Sequence, residues 1–230
     1  MSGAPVSVIV VVKNGERFLG AALESALAQT LAPAEILVVD GRSTDGTARI
    51  SRSFPGVRRL IQADDGLANA RNLGIEAARH DLVAFLDHDD LWEPPKLATQ
   101  VQRLLSLPPV EYTLTWMRLF RERGTPPRGG PADGPIESPR LAATPSALVA
   151  RRSAFERVGP FDSALTIGCD ADWFTRARDL GVPSAVIPEV LLRKRIHPDN
   201  LSIDYRRNRR EMFEVARRSI ARQRRVPETR

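Results

Sequence analysis

The sequence is poor in cysteine and has no long apolar segment, and both features limit the classes of protein to which it can belong. Cys169 is the single cysteine in 230 residues, so no internal disulfide forms, as is usual in a reducing compartment. The apolar run Val6–Val12 is interrupted by Lys13. It is too short to span a membrane and lacks the cationic start and cleavage site of a signal peptide. The sequence therefore predicts a cytoplasmic protein.

Two common nucleotide-binding fingerprints are also missing. No GxGxxG follows the first apolar run, and no GxxxxGK followed by Ser or Thr occurs anywhere in the chain. These absences argue against a dinucleotide-dependent dehydrogenase and a phosphate-loop NTPase. The net charge of +6 suggests an anionic partner, but the excess is local, because arginines crowd 205–225 whereas 35–100 is rich in aspartate.

Apolar runs alternate with segments of helical periodicity in the first half of the chain. Predicted strands are Val6–Val12, Glu35–Asp40, Arg59–Ile61 and Leu82–Leu86. Predicted helices cover Leu19–Leu27, a short stretch after the loop 41–46, Leu67–Arg79, and a segment that opens at Pro94-Pro95. Strands separated by helices imply parallel pairing with helices on both faces, so residues 1–107 are predicted to form an α/β sheet.

The second half is less regular. Its predicted elements are a strand at Val110–Phe120, an exposed loop over 121–143, a strand at Ala147–Ala150, helices at Arg152–Val158 and Ala171–Leu180, one or two strands in Val186–Ile196, and a helix at Tyr205–Arg224. In the last helix, Met212, Ala216 and Ile220 are predicted to form the buried stripe.

The stretch FLDHDDLW places Asp87, Asp89 and Asp90 directly after a predicted strand. Ligands bind at the carboxyl ends of parallel strands. Like charges about 4 Å apart repel by roughly 4 kcal/mol in a partly buried site, so the cluster needs protons, cations or a metal. Mg²⁺ and Mn²⁺ prefer such oxygen ligands. The alternative is that Asp89 or Asp90 caps the turn before Pro94. An EF-hand is excluded because Trp92 stands where its glycine is required.

Five stretches in register carry a resemblance to a known family. VSVIVVVKNGERFLGAALESALAQT, ILVVDGRSTDGT, GLANARNLGIEAA, FLDHDDLW and GPFDSALTIGCDADWFTRARDLG, followed by RIHPDNLS, together resemble the inverting family 2 glycosyltransferases. The resemblance covers about residues 6 to 203. It implies a GT-A fold, which is a Rossmann-like, mixed and mainly parallel sheet flanked by helices in a single domain. A nucleotide-sugar-binding half would cover 1–107, an acceptor-binding and catalytic half 108–204, and a basic helix and tail 205–230.

The same resemblance implies a donor site. Asp40 matches the aspartate that hydrogen-bonds the nucleotide base, and the backbone of Val11, Lys13 and Asn14 would flank that base. Arg71 matches a position near the nucleotide; by itself it would be taken for a solvated helix arginine.

The acidic stretch matches the DxD motif of the family. Asp87 and Asp89 correspond to its two aspartates, with His88 between them and Asp90 beside them. One carboxylate would hold the ribose and another the Mn²⁺ or Mg²⁺ that bridges the diphosphate, with Asp89 favoured for the metal.

Residues on the acceptor side follow from the resemblance as well. Asp170 matches the catalytic base, with Asp172 and Trp173 as supporting residues; helix capping is the competing role for both aspartates. His197 and Asn200 match a closing segment in which the histidine approaches the metal or diphosphate, and a lone surface histidine is the alternative.

Four positions depart from the family pattern. Val11 stands where proline is common, Lys13 where an aromatic is common, Gly41-Arg42-Ser43 where Asp-Gly-Ser usually follows Asp40, and Cys169 where an acidic residue usually precedes the catalytic aspartate. The first three affect the base contacts, and the last affects the assignment of Asp170.

The implied reaction is one displacement at the anomeric carbon, in which Asp170 takes the acceptor proton and no covalent intermediate forms. The donor would be a UDP, GDP or dTDP sugar, and the acceptor a hydroxyl on a glycan, lipid-linked sugar, peptide or small molecule. Two alternatives come from other classes: a non-catalytic nucleotide-sugar binder, and a basic surface for nucleic acid or membrane. Nucleic acid is not favoured, because the aromatics of the tail are not spaced for base stacking, whereas peripheral membrane contact is compatible with a lipid-linked acceptor.

Overall fold

The computed structural model describes residues 4–121, 138–201 and 204–224. The strands are β1 (Val6–Val12), β2 (Glu35–Asp40), β3 (Val57–Ile61), β4 (Leu82–Asp87), β5 (Leu91–Trp92), β6 (Tyr112–Arg121), β7 (Arg140–Leu141), β8 (Val149–Arg151) and β9 (Ser184–Ile196). The helices are α1 (Leu19–Leu27), α2 (Thr47–Arg52), α3 (Leu67–Ala77), α4 (Lys96–Ser106), α5 (Arg152–Val158), α6 (Cys169–Asp179) and α7 (Tyr205–Gln223), with a 3₁₀ helix at Pro145–Ala147.

Within the described residues, all strands join one sheet in the order β3-β2-β1-β4-β8-β6-β9-β5, and β7 pairs with β6. The pairs among β1, β2, β3 and β4 are parallel, as is the long ladder between β6 and β9. Strand β8 runs antiparallel to both β4 and β6 and so joins the two halves. The mixed, mainly parallel sheet confirms the predicted fold class and single domain; the functional division at 107 and 204 stays a prediction.

The sheet is buried along its central strands. All seven residues of β1 are buried, as expected for a parallel strand covered on both faces. Helix α3 approaches β1 closely at Gly74, where a Cβ would lie 2.4 Å from Cγ2 of Ile9. A group of aromatic side chains, which includes Phe155, Phe161 and Trp173, fills the space between α5, α6 and β4.

The alternation predicted for 1–107 is confirmed, and corrections are needed in the second half and at one short strand of the first half. Helix α6 begins at Cys169 and not at Ala171, so Asp170 and Asp172 lie in its first turn. Val186–Ile196 belongs to one continuous strand. The two-residue strand β5 was not predicted; it pairs antiparallel with β9, and strands this short have no periodicity to detect.

Two further predictions were partly wrong. Of the predicted loop 121–143, residues 122–137 lie outside the described residues, but Arg140–Leu141 forms a strand paired with Trp116 and Met117. In α7 the buried side chains are Val215 and Ser219, whereas Ile220 is 52% exposed. The buried stripe is therefore rotated by one residue from the predicted one. Among the described helices, none is both long enough and apolar enough to cross a membrane.

Candidate active site

A cleft of about 640 Å³ opens where β1 and β4 end. Its position is the one expected for a ligand site in an open parallel sheet. The predicted site residues that line it are Val11, Lys13, Asn14, Arg71, Asp87, His88, Asp89, Asp170, His197 and Asn200. Val11 and Asn200, which are 189 positions apart in the chain, thus line the same cavity. Four predicted residues are not among the lining residues: Asp40, Asp90, Asp172 and Trp173.

Asp87, Asp89 and Asp90 place carboxylate oxygens within 4.8 Å of one another. Asp90 is fully buried and does not cap the turn before Pro94; its oxygens accept from the Nζ of Lys194 at 3.3 Å and the amide of Arg195 at 3.1 Å. Burial raises the pKa of Asp90 to about 7, although Lys194 opposes this effect. Three clustered carboxylates with one lysine between them match the oxygen-donor set of a hard divalent cation.

Asp89 is held by the segment that follows β9. His197 Nε2 lies 2.9 Å from Asp89 Oδ2, and Asn200 donates to the same oxygen at 3.0 Å. Burial by itself would raise the pKa of Asp89, but the His197 hydrogen bond and Lys194 hold it well below its usual value. His197 is buried and its ring packs against the ring of Phe18 at a tilted angle, so the alternative that it is a lone surface histidine is wrong. In this arrangement His197 orients Asp89, and Nε2 is occupied by that contact.

Arg71 connects the acidic cluster to α6. Its guanidinium is 1% exposed and donates to Asp87 at 3.2 Å and to Asp170, with Cys169 Sγ 3.5 Å away. Burial lowers the pKa of Arg71, but the Asp170 and Asp87 carboxylates outweigh burial and raise it above its ordinary value. The solvated-arginine alternative is therefore wrong, because the side chain is a buried cation between two cleft carboxylates.

The two aspartates of the first turn of α6 have different surroundings. Asp170 faces the cleft, whereas Asp172 is buried and binds Arg176 Nε at 2.7 Å. Trp173 is fully buried, and its indole donates to the Gly159 carbonyl at 3.1 Å. Asp172 and Trp173 therefore lie behind the cleft and hold α6 in place. The N-cap residue of α6 is Gly168, which has no side chain that could cap the helix.

Asp40 lies outside the residues that line the cleft, and its contact with the nucleotide base stays a prediction. It is fully buried and accepts from the Ser43 amide at 2.8 Å and from Arg59 Nε at 2.9 Å. Burial would raise the pKa of Asp40, but the Ser43 and Arg59 contacts lower it. Both carboxylate oxygens are engaged inside the protein, and the neighbouring Gly41 and Gln62 line the cleft instead.

Three residues at the site were missed by the sequence analysis. Gln62 lies after a short strand, Lys194 sits in a basic run of β9, and Glu211 binds the loop before α6. Lys194 meets Asp90 across 104 positions, and no local pattern marks such a pair. Glu211 was missed because it lies in the arginine-rich helix, where a charged residue is usually solvated.

The fold is that of the GT-A glycosyltransferases. S. aureus TarS (residues 1–349), solved in complex with UDP, matches with a TM-score of 0.71 and 19% identity, covering 95% of this chain and 65% of that chain. The mannosyltransferase PcManGT from Pyrobaculum calidifontis, solved with GDP-Man and Mn²⁺, gives a TM-score of 0.71 and 21% identity with the same coverage.

Residues 7–157 match Glycosyl transferase family 2, and the chain belongs to this family. An uncharacterized glycosyltransferase of Rickettsia conorii is 30% identical over 209 residues, which cover 84% of this chain and 34% of that protein. The Bacillus subtilis protein TuaG, named a putative teichuronic acid biosynthesis glycosyltransferase, is 32% identical over 126 residues, or 53% of this chain and 50% of that protein. The chain spans about a third of the length of the first curated relatives it matches.

Proposed function

We propose that this chain transfers a sugar from a nucleoside-diphosphate sugar to an acceptor hydroxyl, with inversion and with a divalent metal ion. One observation carries the proposal: Arg71 joins Asp87 of the acidic cluster and Asp170 of α6 within a single cleft. A candidate metal-binding group and a candidate base therefore face the same volume. Family membership supports the reaction type, and the sugar and the acceptor stay undefined.

The donor class is inferred from the cleft and from the relatives. The structures of similar fold contain UDP in TarS and GDP-Man with Mn²⁺ in PcManGT. We infer a UDP, GDP or dTDP sugar for this chain. Asp89 and Asp87 are the residues that would hold Mn²⁺ or Mg²⁺, with Asp90 behind them, and the bound ion would stabilise the charge of the leaving diphosphate.

The transfer step assigns a separate task to each residue. Asp170 takes the proton of the acceptor hydroxyl as its oxygen forms a bond to the anomeric carbon. The bond from that carbon to the diphosphate oxygen breaks, and the nucleoside diphosphate leaves with the electron pair. Arg71 holds Asp170 in place, and His197 with Asn200 orients Asp89. Because there is one displacement, configuration inverts.

Donor and metal binding are tested by thermal unfolding with UDP, GDP or dTDP and their sugars, with Mn²⁺ or with EDTA. A ligand at a hundred times its Kd adds about 2.7 kcal/mol, or several degrees of Tm for a chain of this size. Asp89→Asn should abolish the part of the shift that depends on Mn²⁺. Glu76→Gln, on an exposed position of α3, should keep the full shift.

Two results would contradict the proposal. Equal stabilisation in Mn²⁺ and EDTA would remove the metal from the mechanism. A donor that binds but is neither hydrolysed nor transferred to any hydroxyl acceptor would favour the non-catalytic nucleotide-sugar binder.

A specific observation favours a second candidate function for α7, contact with an anionic membrane. Phe213 is 77% and Ile220 52% exposed. At about 100° per residue they share a face with exposed arginines, namely Arg206, Arg209, Arg210, Arg217 and Arg224. We propose that this face contacts anionic phospholipid; a cytoplasmic location stays a prediction.

Co-sedimentation with vesicles tests the membrane candidate. Binding to phosphatidylglycerol vesicles that falls steeply with salt, is absent with phosphatidylcholine and weakens in Phe213→Ser would support it. No vesicle binding, or equal salt-sensitive binding to RNA, would contradict it.

A further inference from the structure

Glu211 makes an unusual set of contacts for a glutamate in a basic helix. Its carboxylate accepts three successive backbone N–H groups of the segment before α6, from Thr166 at 3.2 Å, Ile167 at 2.8 Å and Gly168 at 2.7 Å. The side chain is half-buried. A single carboxylate thus satisfies three amides that regular secondary structure leaves free.

The contact lies at the start of α6, which has no capping side chain of its own. The first N–H groups of a helix have no partner within the helix, and a side-chain oxygen or carboxylate usually binds them. Gly168 precedes α6 and provides no such side chain. The negative charge of Glu211 also lies at the positive end of the α6 dipole. Helix α7, more than 40 positions later in the chain, therefore binds the N–H of the N-cap residue Gly168 and the two N–H groups before it.

Gly168 allows this approach. A Cβ at this position would lie 3.1 Å from Glu211 Cβ and 3.0 Å from Met212 Cε. Both distances are tighter than ordinary side-chain contacts. A side chain at Gly168 would therefore require Glu211 or Met212 to move by a few tenths of an ångström.

Helix α7 also holds the opposite end of α6. Asp179, the last residue of α6, accepts from Ser219 Oγ and from Arg222 Nε, both at 2.9 Å. Glu211 holds the first end and Ser219 with Arg222 the last. These contacts tie both ends of α6 to α7.

The segment held by Glu211 is part of the cleft. Thr166 and Ile167 line the cleft together with Asp170, which is two residues beyond Gly168. We propose that Glu211 is a positioning residue, which fixes this wall and the carboxylate of Asp170 without touching substrate. The catalytic part of this inference rests on the proposed function. Misplacing a reacting group by about 1 Å costs on the order of a hundredfold in rate.

Glu211→Ala, Glu211→Gln and the control Glu214→Gln test the proposal. Glu214 lies on the same helix but pairs with Arg217 and Arg218 at the surface. In Glu211→Ala the amides of 166–168 should exchange with solvent faster by on the order of tenfold. The kcat of transfer should fall by about ten- to a hundredfold, while KM for the donor stays within about twofold of wild type.

Glu211→Gln keeps the length of the side chain and one acceptor oxygen, so it should recover a large part of the lost kcat. Glu214→Gln should match wild type in exchange and in kcat. Unchanged exchange at 166–168 in Glu211→Ala would overturn the proposal, and so would a loss of kcat that Glu214→Gln shares. The exchange measurement needs no donor. If the amides lose protection in Glu211→Ala but the wild type binds no donor, the proposed function is refuted and the Glu211 contact is still established.

Discussion

Replacing Arg71 by Met is expected to destabilise the fold strongly. Arg71 is fully buried and pairs with Asp87 at 3.2 Å and with Asp170. A pair at this distance attracts by about 5 kcal/mol at an effective dielectric of about 20. Desolvation of the charges offsets a large part of that attraction in the wild type. Removing Arg71, however, leaves the partly buried carboxylates of Asp87 and Asp170 without their shared cation, and breaking a buried ion pair in this way costs about 3–5 kcal/mol.

Urea unfolding of the metal-free protein measures this cost. Arg71→Met should lower the free energy of unfolding by about 3–5 kcal/mol. Arg209→Met is the matched control, because this arginine is exposed on α7 and its loss should change stability by no more than about 0.5 kcal/mol.

A double-mutant cycle separates charge from packing. Asp170→Asn removes one of the charges that Arg71→Met leaves unpaired, so the double variant should be more stable than the sum of the two single effects by about 1–3 kcal/mol. Additive effects within about 0.5 kcal/mol would refute the reasoning, because the loss would then come from the cavity left by the side chain and not from its ion pairs.

Two further predictions concern the core. Burial holds the pKa of Lys96 well below its usual value, and its Nζ has no hydrogen-bond partner within the described residues, only the Trp92 ring at 4.1 Å. Lys96→Met should therefore add about 1–3 kcal/mol to the free energy of unfolding near pH 7. From there to about pH 10 the wild type should gain stability and the difference between the two proteins should shrink, since only the unfolded wild type holds the extra proton on Lys96. A difference in the free energy of urea unfolding that stays constant over this range would contradict the prediction. Gly74→Ala should lower the free energy of unfolding by about 1–3 kcal/mol, because the added Cβ would lie 2.4 Å from Ile9. The control Gly20→Ala, which has room for a Cβ, should raise the free energy of unfolding by up to about 1 kcal/mol. Equal Tm shifts in the two variants would refute the packing argument.

Several site assignments depended on the surroundings of a residue and not on its identity. Arg71 and His197 each had a solvated alternative that their burial excludes. Asp40 likewise has partners inside the protein for both carboxylate oxygens, and its contact with the nucleotide base stays a prediction. Whether a charged side chain faces solvent, a ligand or another buried charge depends on elements distant in sequence, and a local motif carries no information on that point.

The sequence by itself determined the alternating strands and helices of the first half and the placement of an acidic stretch at the end of a strand. These features follow from side-chain periodicity and from the parallel pairing that long connections require. Only the tertiary structure decided which charges meet: Arg71 with Asp170 across 99 positions, and His197 with Asp89 across 108. Local periodicity depends on residues within a few positions of each other, whereas ion pairs in a cleft depend on how the sheet brings distant loops together.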